Sequence, residues 1–192
     1  MSRTLAGVLA GCLILSMAAV AGAGIPDADA SYITMTAGGK GLSTCPIGDD
    51  FPYSYITVTA LRTDLSPIQG IPSGSFFFTV TGTGSANVSI DAYDTETDVS
   101  GNIRFEAQGT AAVPYGSLTI GVQIYTVVVT GTGTLWCNTY DLNDDGAVTP
   151  IDLSNFAGKY GSFTDEDCDY NWDGQVTPID LSKFASHWAH GL

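Results

Sequence analysis

The chain has 192 residues, of which 44% are hydrophobic and 10% aromatic. That is the composition of an ordered protein with room for one full domain and a smaller one. Acids outnumber bases 20 to 6 and the net charge is -14, which excludes a nucleic-acid partner because nothing could neutralise the phosphates, but suits divalent cations.

The first stretch, "MSRTLAGVLAGCLILSMAAVAGAG", places Arg3 before an apolar run that ends in small residues. This is the pattern of an export signal over residues 1–23. The run from Leu5 to Val20 is short for a membrane span and has no basic stop signal after it, so no transmembrane span is expected in the mature chain. "LAGC" at Leu9 to Cys12 also resembles a lipoprotein box, although more apolar residues follow it. The protein is therefore expected to be secreted, extracellular or at the cell surface. After cleavage, Cys45, Cys137 and Cys168 remain. An odd number leaves one thiol free or paired between chains. Cys45 with Cys137 is the natural pair, since both flank the same middle region.

Residues 24–138 read as β structure. "YSYITVTAL" from Tyr53, "SFFFTV" from Ser75, "ANVSIDAY" from Ala86, "NIRFEAQ" from Asn102 and "LTIGVQIYTVVVTGTGTLW" from Leu118 are rich in β-branched and aromatic residues. Several alternate apolar and polar side chains, and Gly- or Pro-containing turn segments separate them. Seven or so short strands predict a two-sheet sandwich. "ITVTALRTDLSPIQGIP" and "TETDVSGNIRFEA", roughly Ile56 to Ala107, resemble a bacterial immunoglobulin-like module of the invasin type. The resemblance implies a scaffold or spacer with no chemistry of its own.

No catalytic constellation is legible here. No His precedes His187, so a Ser-His or Cys-His nucleophile cannot be assembled in this region. The pairs Asp49/Asp50 and Asp94/Glu96 read as solvated loop acids, and Phe76 to Phe78 as core and edge packing rather than a sugar platform. A carbohydrate-binding role for the sandwich stands as an alternative.

Residues 139–192 carry a duplication and half of the acids, ten of the 20. "YDLNDDGAVTPIDLSNFAGKY" from Tyr140 is followed 28 residues later by "CDYNWDGQVTPIDLSKFASHW". Numbered as a twelve-residue loop, the first copy offers Asp141, Asn143, Asp145, Ala147, Thr149 and Asp152 at positions 1, 3, 5, 7, 9 and 12. The second offers Asp169, Asn171, Asp173, Gln175, Thr177 and Asp180. Calcium takes about 6–8 oxygens at ~2.3–2.6 Å, and short oxygen-bearing side chains at alternating positions supply them as the chain wraps the ion. Position 7 offers its carbonyl, so its side chain can vary. Gly146 and Gly174 at position 6 allow the sharp turn. Val148 and Val176 at position 8 suit a short β pairing between the loops. Pro150 and Pro178 should stand just before a helix in each copy. Leu153, Phe156, Ala157 and Tyr160, and likewise Leu181, Phe184, Ala185 and Trp188, follow the helical period, so the two apolar stripes are expected to pack together.

No helix is predicted before either loop. The duplicated loop-then-helix unit, Tyr140 to about His190, resembles a dockerin domain of type I-like character, a small all-α EF-hand-like module. The resemblance implies two bound calcium ions and attachment to a cohesin-like or other extracellular protein. In that family, loop positions 10 and 11 and residues of the following helix set partner choice. Here positions 10 and 11 are Pro150-Ile151 and Pro178-Ile179 rather than a Ser-Thr pair, and the helices carry Ala157-Gly158 and Ala185-Ser186 with no Lys-Arg pair. This points away from a cellulosomal partner. Those four Pro and Ile residues are the candidate partner contacts, rimmed by Ser154, Asn155, Lys159, Ser182, Lys183 and His187. A non-catalytic calcium-binding attachment protein is the function expected; a calcium-stabilised surface protein without a cohesin partner is the alternative.

Overall fold

The computed structural model describes residues 24–35, 40–44, 54–110 and 113–189. The expected signal peptide and Cys45, the expected partner of Cys137, lie outside the described residues. Cys137 and Cys168 are buried and free.

The fold is mainly β. Nine strands are described: β1 (Tyr32–Met35), β2 (Lys40–Thr44), β3 (Ser54–Thr59), β4 (Phe76–Thr81), β5 (Val88–Ala92), β6 (Asn102–Gly109), β7 (Gly116–Ile124), β8 (Val127–Val128) and β9 (Gly133–Thr139). One sheet has the order β1-β3-β6-β5; the other has β2-β9-β7-β4, with β8 added to β7. Neighbours pair antiparallel except β2 and β9, which run parallel.

Alternation decides which face is buried. In β6, Ile103, Phe105 and Ala107 point inward while Asn102, Arg104, Glu106 and Gln108 do not. In β7, Leu118, Ile120, Val122 and Ile124 face them across the sandwich core. Burying each large aliphatic side chain is favourable by about 1.5–3 kcal/mol. Phe76 is buried and Phe77 exposed, as expected of consecutive strand residues. The turn before β6 requires a glycine: Gly101 has φ +77°, and a Cβ there would lie 2.6 Å from the Ala60 carbonyl oxygen.

The long apolar stretch from Leu118 to Trp136 is not one strand. It breaks after Ile124, where Tyr125 turns the chain at φ 55°. Strands β1 and β2 were not anticipated. β9 runs to Thr139, one residue past the expected end of the sandwich.

Two helices follow, α1 (Pro150–Lys159) and α2 (Pro178–Ser186). Among the described residues, no helix is long and apolar enough to cross a membrane. A second buried cluster, separate from the sandwich core, gathers Tyr140, Val148, Phe156, Cys168, Tyr170, Val176 and Phe184. It is largely aromatic: the Tyr140 and Tyr170 rings are 4.4 Å apart, and Phe156 and Phe184 are 5.5 Å apart.

This packing corrects three expectations. Of each predicted helical stripe, only Phe156 and Phe184 are buried; Leu153, Ala157 and Tyr160, and Leu181, Ala185 and Trp188, are exposed. Each short helix buries one apolar side chain in the aromatic cluster, beside its buried aspartate, and the next row faces outward. His187 does not belong to a polar rim. It is buried and stacked on Tyr140, with ring centroids 4.0 Å apart. Pro150 and Pro178 are not before the helices but in their first turns, where a missing N–H costs nothing.

Candidate metal centre

Each loop is built by its own carboxylates. In the first, the Asp141 carboxylate accepts from the Asp145 N–H at 3.2 Å and from the Gly146 N–H at 2.8 Å. The second repeats this with Asp169, at 3.1 Å from the Asp173 nitrogen and 2.7 Å from that of Gly174. Asn143 and Asn171 each accept from the N–H two residues on, and so do Asp145 and Asp173. Such short side chains fold the backbone into successive turns around one centre. Positions 4 and 6 carry the tightest of these: Asp144 and Trp172 both have φ 58°, and Gly146 and Gly174 have φ 93° and 91°.

Position 12 closes the loop. Asp152 accepts from the N–H groups of Leu142 (2.7 Å), Asn143 (3.1 Å) and Thr149 (2.7 Å). Asp180 accepts from Asn171 and Thr177 in the same way. These aspartates stand at the third helical position, and Thr149 and Thr177 cap the helices by accepting from the Ile151 and Ile179 N–H groups. The arrangement is a capping box. It places a carboxylate at the positive end of each helix dipole. The threonines at position 9 thus have a capping role that was readable from the Thr-Pro-Ile-Asp sequence but was not anticipated.

In the first loop, ligand atoms of Asp141, Asp145 and Asp152 lie within 4.8 Å of one another. Asp141, Asp152, Asp169 and Asp180 are buried, and among the described residues they are the only buried acids. Among the described residues, no basic side chain pairs with them. Arg104 pairs with Asp94, and Lys159 with Asp167; Arg62 donates to Ser66, and Lys183 to the Tyr170 carbonyl. Burial pushes the Asp169 carboxyl above its usual range, with Asp180 and Asp173 adding to the shift and the N–H bonds from Gly174 and Asp173 opposing it. A hard divalent cation fits the donor set of the first loop, where the carboxylate oxygens of Asp141, Asp145 and Asp152 converge and positions 3 and 7 offer an amide oxygen and a carbonyl; the second loop repeats the donor types. The half-buried side chains of Ala147 and Gln175 need play no part.

The expected pairing of Val148 with Val176 is replaced by a crossed one. The Val176 carbonyl accepts from the Gly161 N–H at 2.9 Å, and the Val148 carbonyl from the Ala189 N–H at 3.1 Å. Each loop therefore pairs with the chain leaving the other copy's helix. The valine side chains are both buried. Ile151 and Ile179 are exposed, 56% each, and so are Pro150 and Pro178.

Sequence reasoning missed Asn138. This residue near the end of β9 is fully buried, and its amide donates to the carbonyls of Glu166 at 3.0 Å and Asp169 at 2.9 Å. An Asn at the end of a strand carries no local signal of such a role.

No protein-family model and no curated protein matches the sequence. Among solved structures, the Lin-41 filamin domain is similar over 59% of this chain and 96% of its own, at 13% identity and a TM-score of 0.40. Yersinia pseudotuberculosis InvD is similar over 58% of this chain, at 19% identity and a TM-score of 0.35. The chain spans 28% of InvD. Likenesses this distant add nothing to what the two-sheet geometry already shows.

Proposed function

We propose that this is an exported, non-catalytic protein that binds two calcium ions through its duplicated loops and uses that dockerin-like segment for attachment outside the cell, with an immunoglobulin-like sandwich as its scaffold. One observation carries the reading: four buried carboxylates, at positions 1 and 12 of two matching loops, have no cationic side chain paired with them among the described residues. Isolated buried charge is costly, and a bound cation is the usual remedy. Asp141, Asn143, Asp145, Asp152 and the Ala147 carbonyl would hold one ion. Asp169, Asn171, Asp173, Asp180 and the Gln175 carbonyl would hold the other, with Thr149 and Thr177 beside them. The ions supply the positive charge that the buried carboxylates lack.

For attachment, the exposed Ile151 and Ile179 support an apolar contact on each copy. The outward row Leu153, Ala157 and Tyr160, with Leu181, Ala185 and Trp188, extends it. An apolar centre with a polar rim is the composition of a protein interface. Ser154, Asn155 and Ser182 supply that rim; His187 is withdrawn from it. The partner is a cohesin-like or other extracellular protein.

Calorimetric titration of chelator-stripped protein with calcium tests the metal reading: two ions per chain are expected, and zero or one would overturn it. Capture of a cohesin-like protein by wild type, lost when Ile151 and Ile179 are both changed to Asp with calcium uptake intact, tests the attachment reading.

A second reading has its own support. Asn138 and Tyr170 tie the second loop to the end of β9, as a calcium-stabilised cap on the sandwich would require. Calcium uptake without capture of any protein partner favours that reading.

A further inference from the structure

We infer that Asn138 is a positioning residue that couples calcium occupancy of the second loop to strand β9. The inference rests on the reading of the loops as calcium sites. The two loops reach β9 by different routes. The first is joined to it through the chain: Asp141 follows Thr139 by two residues, and its N–H donates to the Thr139 hydroxyl at 3.2 Å. The second is distant in sequence, and side chains make its connection. Asn138 uses its amide on the Glu166 and Asp169 carbonyls, and the Tyr170 hydroxyl donates to the Thr139 carbonyl at 3.1 Å.

Asp169 belongs to both systems. Its carbonyl is held by Asn138, while its carboxylate holds the Asp173 and Gly174 N–H groups at the centre of the loop. Shifting one end of this residue shifts the other. Behind Asn138 the connection continues into the sandwich. Its own carbonyl accepts from the Thr44 hydroxyl at 3.3 Å, and the same hydroxyl accepts from the Val113 N–H at 2.8 Å. The Thr44 carbonyl accepts from the Tyr140 N–H at 3.0 Å. A run of buried bonds therefore joins β2, β9 and the first ligand of the second loop. Asparagine suits this position because it brings two donors with no charge. A lysine would bring a competing cation beside the site, and an aspartate would face two carbonyls with no proton to offer.

Hydrogen exchange of the full chain, with calcium and with chelator, reads the coupling directly. Calcium should slow exchange of the β9 amides in wild type. In Asn138→Ala, both ions should still bind, but occupancy of the second loop, followed by emission of Trp172 at its fourth position, should need about tenfold more calcium. That is the order expected from losing two hydrogen bonds. The β9 response to calcium should shrink to the part carried by the first loop and by the Tyr170–Thr139 bond. Wild-type β9 exchange that ignores calcium, while calorimetry counts bound ions, overturns the inference and leaves the metal reading standing. So does an Asn138→Ala protein that keeps both its affinity and its β9 response. No calcium uptake by wild type removes the reading and the inference together. If Asn138→Ala does not fold, the wild-type comparison still decides, and Tyr170→Phe, which removes only the bond to Thr139, should weaken the β9 response without abolishing uptake.

Discussion

Among the described residues, the buried polar residues of the sandwich are Ser31, Ser43, Thr44, Thr59, Thr97, Asn138 and Thr139; in the duplicated segment they are Asp141, Asp152, Asp169, Asp180 and His187. The first set is neutral, and hydrogen bonds meet most of its polar atoms, the Ser43 hydroxyl and the Asn138 amide oxygen excepted. Thr97, for example, donates to the Ile68 carbonyl and accepts from the Ile71 N–H. The second set is anionic apart from one imidazole, and hydrogen bonds leave its charge in place. The apolar cores differ in the same sense. The sandwich buries aliphatic rows from two sheets, whereas the segment has a small aromatic cluster between two short helices. A core that small is marginal by itself. The sandwich is built on apolar burial, and the proposed calcium sites would make the duplicated segment depend on a counter-charge from outside the chain.

The largest expected effect separates the two regions. Chelation should melt the duplicated segment and leave the sandwich folded, apart from the end of β9. Restoring calcium to ~100-fold above the dissociation constant should return about 2.7 kcal/mol per site. Emission from Trp172 and Trp188 together with helical circular dichroism follows the segment, and the β signal follows the sandwich. An unchanged helical signal in chelator would erase the contrast. Next in size are the single loops. Asp141→Ala should remove one ion and Asp169→Ala the other, because each ligand set is complete in itself; calorimetric counts of one ion for each variant check this.

The thiols sharpen the comparison further. Burial pushes both Cys137 and Cys168 up to about 12, so neither is a thiolate at neutral pH in the folded chain. Cys168 belongs to the aromatic cluster and Cys137 to the sandwich core. Alkylation followed by peptide mass mapping should therefore find both protected in calcium, and Cys168 labelled, with Cys137 still protected, in chelator. Equal labelling would mean that the two cores open together.

What could be read from the sequence divides along physical lines. β3 to β6 were legible because their alternation is local and glycine or proline marks their ends. β2 was not, since "KGLST" has no apolar alternation and is held by parallel pairing to β9, a strand more than ninety positions away. The break at Tyr125 was hidden because a tyrosine stands where a turn residue would be expected. At the candidate site, the two copies of the loop and the spacing of their Asp, Asn and Gly residues were legible, since the duplication is written in the sequence itself. The burial of Asp141, Asp152, Asp169 and Asp180 and the crossed pairing of Val148 and Val176 were not, because both depend on how the copies meet. The exposure of Leu153 and Leu181 escaped for the same reason: periodicity marks a face, and only the partner surface decides whether it is covered.

The smallest expected effect comes from a single difference between the two copies. Gly161 and Ala189 occupy equivalent places after their helices and make equivalent bonds, to the Val176 and Val148 carbonyls. Both are left-handed, with φ 82° and 66°. Glycine takes that conformation freely, whereas an L-residue pays roughly 1–2 kcal/mol for it. Nothing within 4 Å would obstruct a Cβ at Gly161, so Gly161→Ala tests the backbone alone. It should destabilise the calcium-loaded segment by about 1 kcal/mol. Ala189→Gly should stabilise it by somewhat less, because the glycine also frees the unfolded chain. Ala157→Gly, on the exposed side of α1, controls for glycine as such and should cost about 1 kcal/mol. Urea unfolding followed by Trp188 emission measures all three. If Ala189→Gly destabilises as Ala157→Gly does, the left-handed turn after α2 is not what sets the second copy apart from the first.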